Sequence, residues 1–368
     1  MIRRWLFTAT NVIALTLAFS TLAATALKAA ETEPSLPPAG FEVSVDRSDP
    51  GRPTRPFGTP YGGDIVDALT HVDPGQTGGR SKGKNSDSVV DQLADAGIKT
   101  AILMPTPNEG LNSGKEDGTD QKMRLARQNG DLIRAFCAGD YLSNWLSDAQ
   151  HNGYKDDDLQ SKLARLNRDL GDRSCSGLGE FGLKHFNKSG FQNVIDLRPT
   201  FAPVLAVIDS VARQGTWIQV HAEPMEPNGT SHLAEAFGAL ALWYQLHPDM
   251  KLILSHTGMI NATNARRLLT TYPNVMMTVK MMPRNEDWAH LEPIVNRRGE
   301  LYEDWAKLMD DMPDRFMIGT DSKFASDKHD SGNKYPETIA YFRKVLGSLS
   351  PRTADAIANG NARRTVVR

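Results

Sequence analysis

Cysteine is nearly absent from this chain: Cys137 and Cys175 are the only two. The strand reading below puts Cys137 near the end of the third strand and Cys175 just ahead of the fourth, toward opposite ends of a barrel. No disulfide is therefore expected, and no Cys-based zinc site can be assembled from two residues so placed. Charge of one sign is also missing. Lys plus Arg (42) nearly balances Asp plus Glu (44), for a formal net charge of −2, and no basic block or stripe stands out. That argues against a nucleic-acid partner and for a small-molecule one. A retained membrane anchor has little support, because the apolar run from Val12 to Leu22 is interrupted by Thr16, Ser20 and Thr21 and falls short of about 20 residues. Lacking too is a glycine-rich phosphate turn: THVDPGQ (70–76) follows the first strand, which does not suit a nucleotide-binding open sheet.

What is present begins with an export signal. Arg3 and Arg4 precede the apolar run, and Ala24-Thr25-Ala26 forms a small-x-small cleavage site. Residues 1–26 are thus expected to be a signal peptide. The mature protein is expected to be periplasmic or secreted, with no stable membrane insertion once the signal is removed. Residues 27–62 form an extension rich in Pro and Gly, with Pro34, Pro37, Pro38, Pro50, Pro53, Pro56 and Pro60 spaced to discourage a long helix.

From residue 63 onward, apolar runs alternate with helical patterns. Eight strands are expected at 65–71, 100–106, 132–138, 177–183, 217–221, 251–256, 275–280 and 316–320. Segments such as SVVDQLADAG (88–97) and FAPVLAVIDSVARQG (201–215) carry helical periodicity and close at glycine. Alternating βα units imply a parallel sheet, and eight of them imply an α/β fold: a (β/α)8 TIM barrel, a single domain over 63–368 with an N-terminal extension. The chain's 368 residues exceed the roughly 250 that such a barrel needs. The Gly-, Asn- and charge-rich stretch from Asn108 to Thr119 reads as a loop at the barrel mouth.

Several apolar runs stop at a residue that can bind a metal or move a proton. These closers are Asp67 and His71 on the first strand, Glu180 on the fourth, His221 on the fifth, His256 on the sixth and Asp321 on the eighth. In a barrel the carboxyl ends of all strands open onto one mouth, so residues far apart in sequence converge. Imidazoles with one or two carboxylates are what a borderline divalent ion selects: zinc first, manganese or iron as alternatives. His185, Glu223 and Lys280 lie beside these strands and are expected in solvated or supporting roles. Met276, Met277, Met281 and Met282 read as core filling.

IVDALTHVDP (65–74), GLGEFGL (177–183), QVHAEP (219–224), LSHTG (254–258), GTDS (319–322) and IANGNARR (357–364) resemble, in order, the motifs of the amidohydrolase superfamily. In particular they resemble the amidohydrolase-related branch that includes aminocarboxymuconate-semialdehyde decarboxylase and several lactonases. The resemblance implies metal ligation by His71 and His221, a ligand or catalytic role for His256, and a ligand and base role for Asp321. It makes Glu180 similar to a strand-four acid that bridges metals. One departure stands out: the family's first strand carries His-x-His, and Leu69 occupies the first of those positions. If strand alternation holds, Asp67, Leu69 and His71 share one face. The function these readings imply is an exported metal-dependent hydrolase acting on a lactone, amide or ester bond of a small organic substrate through a metal-activated water. The alternatives are a decarboxylase or hydratase on the same scaffold, or a metal-free or lapsed barrel because of Leu69. A homo-oligomer is compatible with all of them.

Overall fold

A computed structural model of the chain describes residues 51–72, 89–107, 118–186, 194–281, 290–324 and 334–367. The expected signal peptide, residues 27–50 of the extension, and residues 108–117 of the expected mouth loop lie outside the described residues.

All eight expected strands are present, with ends shifted by a few residues. They are β1 (Ile65–Val72), β2 (Ile98–Leu103), β3 (Ile133–Ala138), β4 (Cys175–His185), β5 (Trp217–Ala222), β6 (Lys251–Leu254), β7 (Val275–Val279) and β8 (Phe316–Ile318). Each pairs in parallel with its neighbours in chain order, from β1 to β8. The strands are apolar because both faces are covered: every residue of β1 is buried. Helices cover the outside. The helix Ala202–Arg213 turns Val204, Val207, Ile208 and Val211 toward the sheet, at spacings of three and four residues, and the chain leaves it through Gly215 at φ +61°. A smaller apolar cluster that includes Val66, Leu69, Ile102, Phe136, Ile253, Met276 and Met317 fills the inside of the ring.

The eighth strand is interrupted, and the interruption joins the two ends of the sheet. β8 pairs with β7, and a further strand, β9 (Ser322–Phe324), pairs in parallel with β1. Between them Gly319 N donates to Val279 O at 3.1 Å, and Asp321 N donates to Leu69 O at 3.0 Å. A Cβ on Gly319 would lie 2.7 Å from Thr278 Cβ, so only glycine fits this approach. Asp67, fully buried, clasps the same point. Its Oδ1 accepts from Thr320 N (3.0 Å) and Leu69 N (3.3 Å), and its Oδ2 accepts from Thr320 Oγ (2.6 Å) and Tyr335 Oη (2.8 Å). Burial pushes this carboxyl from 3.8 up to about 6, with the four donors pulling the other way.

Two expectations are corrected here. Asp67, Leu69 and His71 do not alternate regularly: Asp67 pairs with Ala101 and Thr70 with Leu103, three residues advanced on β1 against two on β2. One extra residue in a strand is a bulge, and beyond it the faces exchange. Asp67 therefore serves the clasp while His71 reaches the mouth. The second correction is a disulfide between Cys137 and Cys175, whose Cα atoms are 5.9 Å apart. β4 begins at Cys175 rather than at 177, and Cys175 stands level with Ala135 on the adjacent β3. The two cysteines are thus near neighbours across one strand pair.

Outside the barrel, Thr54–Arg55 pairs antiparallel with Leu301–Tyr302, and Arg52 donates to Glu292 and Asp304 at 2.7 Å each. No described helix is long and apolar enough to cross a membrane.

Two predictions follow from the clasp and the bridge. Between roughly pH 4 and pH 6 the folded chain holds a proton on Asp67 that the unfolded chain has released, so this group makes stability fall as pH rises through that window. In urea unfolding at about pH 4 and about pH 7, wild type should lose up to about 3 kcal/mol relative to Asp67→Asn; a pH-independent difference would contradict the assignment. The bridge closes a separation of 38 residues, so Cys137→Ala with Cys175→Ala should lower stability by up to about 4 kcal/mol, measured the same way.

Candidate active site

Five strands and the turns that follow them deliver five side chains to one place. His71 closes β1, and its Nδ1–H donates to Met104 O at 2.9 Å, which turns Nε2 toward the centre. Glu180 lies within β4, just after a cis Gly179–Glu180 peptide, and its backbone N–H donates to Pro105 O at 3.3 Å. His221 comes from β5, and Asp321 follows β8 at φ +57°. His256 sits in a left-handed turn, with His256, Thr257, Gly258 and Met259 at φ +54°, +60°, +64° and +54°. Each non-glycine residue there costs about 1–2 kcal/mol. The turn is held by His256 N donating to Thr278 Oγ (3.2 Å), by Thr257 Oγ donating to His256 O (2.5 Å), and by burial of Met259 against Met225 and Leu291. Backbone strain of this kind gathers at functional positions.

His71 Nε2 lies 3.0 Å from Asp321 Oδ1 and 3.6 Å from Glu180 Oε2. His221 Nδ1 is 3.1 Å from Glu180 Oε1, and His256 Nε2 is 3.5 Å from the same oxygen and 3.8 Å from Asp321 Oδ2. Of the six closers, His71, Glu180, His221, His256 and Asp321 thus converge, while Asp67 is bound by Thr320, Leu69 and Tyr335.

Their charges balance by pairing. Burial disfavours the Glu180 carboxylate, but His221 and His256 outweigh it and hold the group well below the usual range. Asp321 is likewise held low, against burial, by Lys280, His256 and His71. Burial works against a charged His221, yet Glu180 and Glu223 push it up to about 10. His71 is raised too, by Asp321 and Glu180 against burial. His256 goes the other way: burial lowers it despite Asp321 and Glu180. Its Nδ1 is buried with no hydrogen-bond partner among the described residues.

Three supporting residues are closer to this centre than the sequence reading suggests. Lys280, immediately after β7, donates to Asp321 Oδ2 at 2.6 Å. Glu223 is fully buried; it accepts from Phe186 N at 3.0 Å and lies 3.1 Å from His185 Nδ1 and 3.2 Å from His221 Nε2. Burial would raise Glu223, but His185 and His221 bring it down to about 2. Two of the three carry a signal in the sequence: Lys280 ends the seventh apolar run as the other closers end theirs, and Glu223 lies two residues past His221.

Glu180, His221 and His256 are placed to hold a divalent ion, with His71 and Asp321 beside them. Three ring nitrogens and two carboxylates stand with neighbouring atoms 3.0–3.8 Å apart, near the donor spacing around an ion with bonds of about 2.0–2.2 Å. Glu180, His221 and His256 each bring one ligand atom within 4.8 Å of the others. Leu69 is fully buried in the interior cluster and brings no donor, while Lys280 holds one Asp321 oxygen.

In chelator-treated protein, nitrogen-15 NMR of the histidines should show His221 keeping its proton up to about pH 10 and His256 losing its own below the ordinary 6.5. Titration of His221 near the ordinary value would refute the carboxylate pairing.

No family model and no curated protein matches the chain. Among solved structures it is similar to an uncharacterized TIM-barrel protein from Bordetella bronchiseptica, with a TM-score of 0.50 at 13% identity over 82% of this chain and 97% of the other. It is similar as well to a putative amidohydrolase from Staphylococcus aureus, with a TM-score of 0.50 at 11% identity over 83% of this chain and 99% of the other. Identity at this level speaks to architecture. In fold, then, the chain is a TIM barrel of the kind found in a putative amidohydrolase, the architecture that its six motifs imply.

Proposed function

We propose that the chain is a metal-dependent hydrolase that opens a lactone, amide or ester bond of a small organic acid. The observation that carries this reading is the convergence of His71, Glu180, His221, His256 and Asp321 at one barrel mouth. His71, His221, Glu180 and Asp321 would hold the ion, zinc by preference with manganese or iron as alternatives. Such an ion, when bound, acidifies a water and polarises a carbonyl.

The protein's own groups divide the remaining work. His256 is the neutral imidazole of the set, since burial lowers it. Its Nε2 can take a proton or donate a hydrogen bond to a substrate oxygen. Asp321, between His71 and Lys280, passes a proton rather than keeping one, because its neighbours hold it ionised. Lys280, with a side chain 34% exposed, offers the substrate a positive charge beside the reacting centre, which favours an acidic substrate.

Lys280 also favours a second reading, decarboxylation, which needs a seat for a carboxylate and a proton donor in place of an attacking water. The lapsed-barrel reading loses ground because the other five groups converge without Leu69. The Cys137–Cys175 bridge supports residence in an oxidising compartment, in keeping with export to the periplasm or beyond.

Metal analysis by inductively coupled plasma mass spectrometry tests the core of this proposal. Purified wild type should carry about one ion per chain, and His221→Ala should lose it. Leu69→His should change the content little. Assays of lactones, esters and amides for acid release, set against carboxylated substrates for carbon dioxide release, separate the two reactions. Protein that arrives metal-free and cannot be reconstituted with zinc would overturn both.

A further inference from the structure

Beside the central groups lies a tighter arrangement that the proposed chemistry leaves unused. His185 closes β4, while His221 and Glu223 lie two residues apart at the end of β5. His185 Nδ1 is 3.2 Å from His221 Nε2 and 3.1 Å from Glu223 Oε1, and His221 Nε2 is 3.2 Å from that same oxygen. The three atoms make a nearly equilateral triangle. Bonds of about 2.0–2.1 Å to a tetrahedral zinc place neighbouring donors about 3.3 Å apart, so the triangle has the size of one face of such a site. Phe186 N–H engages the other oxygen of Glu223 at 3.0 Å, which leaves Oε1 aimed at the rings.

Without an ion, hydrogen bonds link the three groups, His185 Nδ1 to His221 Nε2 and both rings to Glu223 Oε1, and no ammonium or guanidinium among the described residues bridges them; an ion would replace the shared protons and take the same lone pairs. A nearby trio, Asp196, His232 and Glu235, differs in this respect: the Lys184 ammonium already bridges its two carboxylates.

We propose that His185 Nδ1, His221 Nε2 and Glu223 Oε1 form a second site for a zinc-class divalent ion, distinct from the central set. Two imidazoles and one carboxylate are a zinc donor set that leaves a fourth position for water or a ligand. The His185 side chain is 15% exposed and that of Glu223 fully buried, so an ion enters from the His185 side. The ring of His221 couples the two sites, because its Nδ1 faces Glu180 at 3.1 Å while its Nε2 completes the triangle. A neutral imidazole has one lone pair to give. With an ion in the central set on Nδ1, a second ion at Nε2 would have to displace the proton from that nitrogen and release it to water, so that the ring serves both sites at once. The second ion therefore binds more weakly than the first.

Equilibrium dialysis of the metal-stripped full chain against zinc chloride tests this, on wild type, His185→Ala, His185→Gln and His71→Ala, with circular dichroism to confirm folding. Wild type should bind two ions in unequal steps. Either His185 variant should weaken the second step by at least about 100-fold and keep the first, whereas His71→Ala should lose the first and keep the second. A wild type with a single step that disappears in the His185 variants and survives His71→Ala supports the second site while refuting the central metal reading. His185 variants that titrate like wild type, or a single step abolished only by His71→Ala, overturn the second site. Protein that takes up no zinc overturns both.

Discussion

One buried carboxylate decides whether the barrel has ends. Asp67 accepts four hydrogen bonds, two of them from Thr320 in the broken eighth strand, 253 residues away, and one from Tyr335 at the start of an outer helix. A carboxyl buried this completely is unfavourable unless its oxygens are satisfied, and the arrangement that satisfies them here brings the first and last strands together. Asp321 is the next residue along the chain, so the same clasp aims the side chain that meets His71 and Lys280. Closure of the fold and assembly of the centre are in this sense one event.

At the mouth, the governing rule is that charges leave water only in company. Glu180 stands among three imidazoles, Asp321 between a ring and an ammonium, and His221 between two carboxylates. Such a set is stable without an ion because protons can balance it, and it is suited to an ion because the same lone pairs converge. The left-handed turn at His256 is the steric counterpart. Four consecutive residues at positive φ are unfavourable in isolation, and the packing of Met259 together with the Thr278 hydroxyl holds them in place.

Much of this is legible in the sequence, for a physical reason. Barrel strands are covered on both faces, so each reads as a short apolar run, and the polar residue that ends the run is the one at the mouth. His71, Glu180, His221, His256 and Asp321 are all visible on that criterion, and Lys280 would have been had it been applied evenly. Other features depend on register. The bulge after Asp67 reverses the faces of β1, and no local pattern in IVDALTHV announces it. Two extra residues at the start of β4 bring Cys175 level with Ala135, which turns two separated thiols into a bridge. The left-handed turn is marked only by Gly258, since Thr257 and Met259 are residues that ordinarily avoid it.

His71 and Asp321 are 3.0 Å apart in space and 250 residues apart in sequence. A ribosome builds the chain from its N-terminus, so His71, Glu180, His221 and His256 are all made before the last carboxylate of the centre. The triangle of His185, His221 and Glu223 draws on two adjacent strands, β4 and β5, and its parts lie no more than 38 residues apart in the chain. The proposed trio is therefore complete in the chain before the central set is, and the topology of the barrel sets the order in which the two sets of donors are made.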